Sequence, residues 1–267
     1  MSTSRAVTWE GFFNARDLGG LPTKSGGTTA YGAFFRAADL RFVTETGWAE
    51  AHVSGVRTVI DLRNADEIRP AEYSLTTLAG SAQFAASPEG PTTPASFDRL
   101  EVPLDDIDDI DDIDDIEFWQ HVNRQRLNGT PLYYPVFLQR KAQRCSAVVK
   151  AIAHADPGGV LFHCGGGRDR TGLIALLLLA LADVEPCAIA ADYALSAEAL
   201  KALYAAMRTT DQQPFIQAVL ADRGTTTEEA VMATLDGFDV EQYLLDAGVT
   251  GSELRSVRGR LLGLHPH

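Results

Sequence analysis

One segment constrains this chain more than any other: Phe162-His163-Cys164-Gly165-Gly166-Gly167-Arg168-Asp169-Arg170-Thr171-Gly172. Before the bend, Val160-Leu161-Phe162 is short and wholly apolar and reads as a buried strand. After it, residues 170–182 are apolar almost all round and read as a buried helix. The three glycines between permit the left-handed backbone angles of a tight turn. A strand, a Gly-rich turn and a helix in this order require an α/β core into which both elements pack.

The rest of the pattern fits that core. Residues 33–36, 56–63 and 99–104 read as strands, the second of them fully buried. Residues 44–54 read as a helix stopped by Gly55, and 8–32 as loops. In residues 134–155, Leu138, Ala142, Cys145, Val149 and Ile152 recur at steps of three and four, which predicts one amphipathic helix. From Ser196 onward the pattern is helical, divided by Pro214 and Gly224. Between these parts, residues 105–116 repeat Asp-Asp-Ile four times; a period of three suits neither helix nor strand and predicts a solvated acidic loop. The chain of 267 residues, 45% hydrophobic, is expected to form one domain over 1–267, with residues 196–237 as a helical lid inserted in it.

Charge and cysteine usage narrow the function classes. The net charge of -13 opposes general nucleic-acid binding and attraction to anionic membranes, although a local positive pocket can sit in an acidic protein. Eight acidic residues fall in the Asp-Asp-Ile run, so the remainder carries only about -5. Three cysteines, Cys145, Cys164 and Cys187, suggest no disulfide framework and a reducing compartment. Residues 1–11 contain no apolar leader and the longest apolar run is about half a membrane span, so a soluble cytoplasmic protein without stable membrane insertion is expected, signal-free secretion staying open. The oligomeric state is not legible.

The chemistry lies in the Gly-rich turn. Cys164 ends the strand below a helix N-terminus, where turn amides and the helix dipole favour a thiolate. Arg170, six positions on, can face that thiolate across one phosphoryl group and grip its oxygens with a bidentate fork. Gly165, Gly166, Gly167 and Arg168 would form the anion cradle, and Thr171 would hydrogen-bond the sulfur as a leaving group. His163 is expected to orient the turn through backbone contacts. Arg16 and Asp17 would brace the turn or the mouth, and Asp61 and Arg63 end a central strand on the side where α/β sites form. His52, His121 and His154 are scattered, so neither metal nor other cofactor is expected. A covalent thiolate route needs none.

The string His-Cys-x-x-Gly-Arg-Asp-Arg-Thr-Gly resembles the signature of a bacterial tyrosine-phosphatase family with phosphoinositide-phosphatase similarity. The resemblance extends to Asn14-Ala15-Arg16-Asp17-Leu18-Gly19-Gly20, Phe35-Arg36-Ala37-Ala38, Ile60-Asp61-Leu62-Arg63, Asp192-Tyr193, Tyr243-Leu244-Leu245 and 254–262, and so covers nearly the whole chain. Arg168 departs from the family, which usually has Lys there. The resemblance implies a central, mostly parallel sheet flanked by helices, as in protein tyrosine phosphatases, and hydrolysis of phosphate monoesters through a phospho-cysteine. It implies phosphotyrosine as the default substrate, with phosphoserine, phosphothreonine, phosphoinositides and small phosphorylated molecules open. Arg168 could then meet a second phosphate. Asp169 is the first candidate for the acid; Asp105 or Asp106, after the strand ending at Leu104, is the alternative. The rival reading is a degenerate module that binds phosphate without turnover.

Overall fold

The computed structural model describes residues 4–68, 93–105 and 113–264. Two short strands come first, β1 (Arg16–Asp17) and β2 (Phe34–Ala37), then α1 (Glu45–Val53), β3 (Val56–Asp61), α2 (Ala65–Ile68) and β4 (Asp98–Glu101). Helix α3 (Ile113–Arg124), a 3-10 turn (Pro131–Tyr133), α4 (Tyr134–Arg140) and α5 (Ala142–His154) lead to β5 (Gly159–His163) and α6 (Asp169–Leu181). Six helices close the chain: α7 (Pro186–Ala194), α8 (Ser196–Met207), α9 (Gln213–Asp222), α10 (Thr227–Leu235), α11 (Val240–Asp246) and α12 (Gly251–Leu262).

The sheet runs β1-β2-β5-β3-β4, antiparallel only at β1. Its central strand β5 is the apolar one, as burial on both faces demands. Successive side chains point to opposite faces and serve two different cores. Phe34, Ile60, Val160 and Phe162 face a large layer built from α3 to α7, α11 and α12. Phe35, Val59 and Leu161 face a smaller one containing Trp9, Trp48 and Phe97. The register aligns Ala37, His163 and Asp61 side by side, so the segments leaving β2, β5 and β3 emerge together at one end of the sheet. Ligands of open α/β sheets bind at such carboxyl ends.

The strand and helix expectations hold in kind, with corrected limits. The span 134–155 is two helices, because Lys141 leaves helical geometry at φ -118° and ψ 31°. No Gly or Pro marks that break; its effect is to let Phe137 and Leu138 before it, and Cys145, Val148 and Val149 after it, all reach the same core. The N-terminal loop region contains β1, and the strand predicted over 99–104 spans Asp98–Glu101. The Asp-Asp-Ile run is not all loop: α3 starts at Ile113, the last residue of its third repeat, since the apolar residues beyond it, Phe118 and Val122, need a buried face. Residues 106–112, Asp106 among them, lie outside the described residues. Among the described residues no helix is long and apolar enough to cross a membrane.

Phe162 is fully buried at the centre of the sheet. Phe162→Ala should therefore destabilise the protein by about 3–5 kcal/mol, the usual cost of emptying an aromatic core position. Urea denaturation monitored by tryptophan fluorescence checks this.

Candidate active site

Cys164 follows β5 directly and is 2% exposed. The chain from Gly165 to Arg168 then curls beneath the first turn of α6. The Gly167 amide donates to Cys164 Sγ at 3.3 Å. Gly167 has φ +66°, and a Cβ there would lie 2.4 Å from the Ala37 carbonyl oxygen, so no other residue fits. The loop carbonyls face outward: Gly165 O accepts from the Asp39 amide at 2.9 Å, Gly166 O from Asn14 Nδ2 at 3.0 Å, and Gly167 O from Arg36 Nη2 at 2.8 Å.

Arg170, in the first turn of α6, does not offer its fork to open space. Glu67 of α2 takes both terminal nitrogens, Nη1 to Oε2 and Nη2 to Oε1, the latter at 2.7 Å. Asp105 Oδ2 lies 3.3 Å from Arg170 Nε. Burial alone would raise the Glu67 carboxyl, but Arg170 outweighs it and holds Glu67 below its ordinary value. Asp105 goes the other way. Burial pushes it up to about 6 against the pull of Arg170, helped by the negative charges of Glu67 and Asp169. Its Oδ1 is buried and makes no hydrogen bond among the described residues.

Asp169 is 28% exposed and firmly partnered. Arg168 Nε and Nη2 donate to its two oxygens at 3.1 Å, and Tyr193 OH donates to Oδ1 at 3.2 Å. Arg168 Nη2 also donates to Gln212 Oε1, in the connection between α8 and α9. The Arg168 side chain is thus only 6% exposed and folded onto its neighbours, which corrects the expectation of a cation open to a second phosphate. Tyr134 OH donates to the Asp169 carbonyl. This approach depends on Gly172, where a Cβ would sit 2.7 Å from that hydroxyl.

The remaining expectations divide. Thr171 Oγ1 is buried without a hydrogen-bond partner among the described residues, so the bond to sulfur is not made here. The His163 ring points to Asp61, Nε2 to Oδ2 at 3.6 Å, rather than only bracing the turn through its backbone. Burial drives that imidazole below its ordinary value despite Asp61. Asp61 and Arg63 form an internal bidentate pair at 2.7–2.9 Å, extended by Arg63 Nη1 to Asp39. Arg16 donates to Asn14 Oδ1 at 2.6 Å and so reaches the loop at one remove. Asp17 does not reach it; its carboxylate accepts the amides of Gly19 and Gly32 and holds the turn between β1 and β2.

Sequence reasoning gave no role to Glu67, Asp39 or Gln212. Asn14, Arg36 and Asp192 stood in motifs that carried the resemblance, but nothing local indicated what they do. A sequence profile described as the tyrosine phosphatase family matches residues 7–263. The chain belongs to the tyrosine phosphatase family. It is accordingly a phosphatase, a hydrolase of phosphoric monoesters. It is 29% identical to a tyrosine-protein phosphatase of Nostoc commune over 243 residues, covering 86% of this chain and 74% of that one. The triple specificity protein phosphatase PtpB of Mycobacterium tuberculosis is 26% identical over 281 residues, 95% and 98% of the two chains. A putative tyrosine-protein phosphatase of Cupriavidus necator is 27% identical over 244 residues, 88% and 81%.

Behind the loop of this phosphatase, the Asp192 carboxylate receives Arg5, Arg16 Nε at 2.9 Å and Arg36 Nη1 at 2.6 Å. Burial would raise it, but Arg16 and Arg36 hold it well below the usual carboxylate range. Asp192→Asn, which leaves buried guanidiniums unpaired, should cost about 3–5 kcal/mol. Because the folded-state value is depressed, the wild-type contribution is complete above about pH 4 and fades as pH falls below it. Urea midpoints of wild type and variant should therefore converge on acidification.

Proposed function

We propose that this phosphatase cleaves its ester by covalent transfer to Cys164. The sulfur attacks phosphorus, the S–P bond forms, and the P–O bond to the alcohol breaks. Water then attacks the same phosphorus, the S–P bond breaks, and inorganic phosphate leaves with the thiolate restored. The observation that carries the reading is the Gly167 amide directed at Sγ, with Arg170 in the helix turn that closes the loop. A guanidinium has five N–H groups; Glu67 accepts from two of Arg170's and Asp105 lies beside Nε as an ion pair, which leaves further N–H groups for phosphoryl oxygens. Loop amides and the N-terminus of α6 supply the rest of the anion site. No step requires a metal or cofactor.

Of the candidate acids among the described residues, Asp105 and Asp169, the geometry favours Asp105. Asp169 is committed by hydrogen bonds to Arg168 and Tyr193, whereas Asp105 Oδ1 is buried and bonded to nothing among the described residues. Asp105 retains its proton to about pH 6 and stands beside Arg170. It would protonate the leaving oxygen in the first step and take a proton from water in the second. Asp169 would then fix Arg168 in place.

The phosphotyrosine ester is the default substrate. One relative is named a triple specificity protein phosphatase, which supports a range wider than a single kind of phosphoester; phosphoserine, phosphothreonine and phosphoinositides are the substrates to compare. Comparing rates on the three kinds of phosphopeptide and on inositol lipids ranks them. The reading includes a cytoplasmic location, in keeping with three unpaired cysteines. It also treats α8 to α10 as a lid: Gln212 meets Arg168, and Tyr204 OH reaches the same amide oxygen at 3.4 Å. Gln212→Ala should then speed alkylation of Cys164 severalfold; an unchanged rate would mean these helices only pack.

Two results test the chemistry. Cys164→Ser should abolish turnover of p-nitrophenyl phosphate, by at least about a thousandfold. A variant that still turned over would dismiss the covalent route, and an inactive wild type would leave the phosphate-binding module as the better description. For wild type, kcat/KM should fall above about pH 6 as Asp105 loses its proton. That basic limb should vanish in Asp105→Asn and persist in Asp169→Asn.

A further inference from the structure

The loop has three outward carbonyls and one inward amide that can be seen to touch the nucleophile. In a planar trans peptide, the carbonyl of one residue and the N–H of the next point in opposite directions. A group that pulls the carbonyl outward therefore aims the following amide inward. The peptide from Gly166 to Gly167 shows both halves: its oxygen accepts from Asn14 Nδ2 at 3.0 Å, and its N–H donates to Cys164 Sγ at 3.3 Å. The next peptide has its oxygen on Arg36 Nη2 at 2.8 Å, which turns the Arg168 amide the same way.

Both braces hang from one carboxylate. Arg36 Nη1 is on Asp192 Oδ2 at 2.6 Å, and Arg36 is among the largest fully buried side chains. Asn14 is held from behind by Arg16, whose Nη1 donates to Oδ1 at 2.6 Å and thereby fixes Nδ2 as the end facing the loop. Arg16 in turn is bonded to Asp192 through Nε at 2.9 Å. Asn14 also holds an uncommon left-handed backbone, φ 48°, that Asn tolerates better than most residues and that delivers its side chain to the loop.

We propose that Asn14 and Arg36 are positioning residues which, anchored on Asp192, set the two successive peptide planes that direct amides at the sulfur and at the phosphoryl oxygens. The proposal rests on the phosphoryl-transfer reading for its consequence, but its geometry can be tested without turnover. Asn14→Asp keeps the shape, the left-handed tolerance and the acceptor for Arg16, and loses the donor to Gly166. Arg36→Lys keeps a cation for Asp192 and loses the second arm to Gly167.

The experiment measures iodoacetamide alkylation of Cys164 at pH 6, inhibition by inorganic phosphate, kcat/KM on p-nitrophenyl phosphate, and the thermal midpoint. The expected result is alkylation slowed about tenfold, phosphate bound about tenfold more weakly, and kcat/KM down by about 10–100-fold, less than the ~100–1000-fold lost when an oxyanion donor is removed outright. These losses should appear in variants that still unfold cooperatively. Folded Asn14→Asp and Arg36→Lys proteins with wild-type alkylation and phosphate inhibition would overturn the proposal, even if the wild type is an active phosphatase. Loss of activity in Cys164→Ser bears only on the covalent route. A check on the wild type needs no variant: the Gly167 amide should exchange with deuterium far more slowly than that of Gly224, in the turn after α9. Equal rates would overturn the proposal as well.

Discussion

Three guanidinium groups converge on the buried carboxylate of Asp192, and much of the molecule is hung on that point. Arg5 and Arg16 come from the N-terminal region, Arg36 from β2, and Asp192 from α7. A buried charge is tolerable only when paired and hydrogen-bonded, so this cluster cannot form piecemeal. It ties the first strands to the helices beyond the active loop. It also leaves Arg36 with a free arm for the loop itself. Burial lowers Arg16 to about 10, with Arg36 nearby adding to the effect, which is still far above neutrality, so Arg16 stays charged there.

A second chain of ion pairs runs along the other side of β5. Arg41, Asp39, Arg63 and Asp61 alternate in sign, with Arg99 and His163 meeting Asp61 at its end. Asp39 contributes its amide to Gly165 O and its carboxylate to this chain. The cysteine loop is therefore held by Arg36 of β2 and by Asp39 just after it, and Asp39 in turn is tied to Arg63 beyond the end of β3. Apart from Arg36 Nε and His163 Nδ1, which make no hydrogen bond among the described residues, these groups hold one another in place, and rigidity is what a preorganised anion site requires.

How much of this was legible in the sequence follows from range. The apolar strand, the glycines and the apolar helix are adjacent in the chain, and their roles follow from local sterics and burial. The sheet and its central strand could be read for the same reason. Glu67 could not, because it meets Arg170 across 103 positions and sits in a short polar stretch with no periodicity. Arg36 and Asp192 are 156 positions apart, and only the folded register brings them together. The break at Lys141 was hidden because no helix-breaking residue occurs there; core packing overrides propensity. Arg168 illustrates the converse error. Its charge was visible, but its direction was set by Asp169 and by Gln212, which belongs to a later part of the chain.

The pairing of Arg170 with Glu67 has a consequence for how tightly a substrate must be held. A free arginine carries about 2 kcal/mol of rotamer entropy, all of it lost when the side chain is fixed. Here Glu67 and Asp105 have already frozen the guanidinium before any ester arrives. The disorder is surrendered once, as the chain folds, and is not surrendered again at each encounter. Attraction between phosphate and guanidinium is then left undiluted for the moment when the bond to phosphorus changes hands.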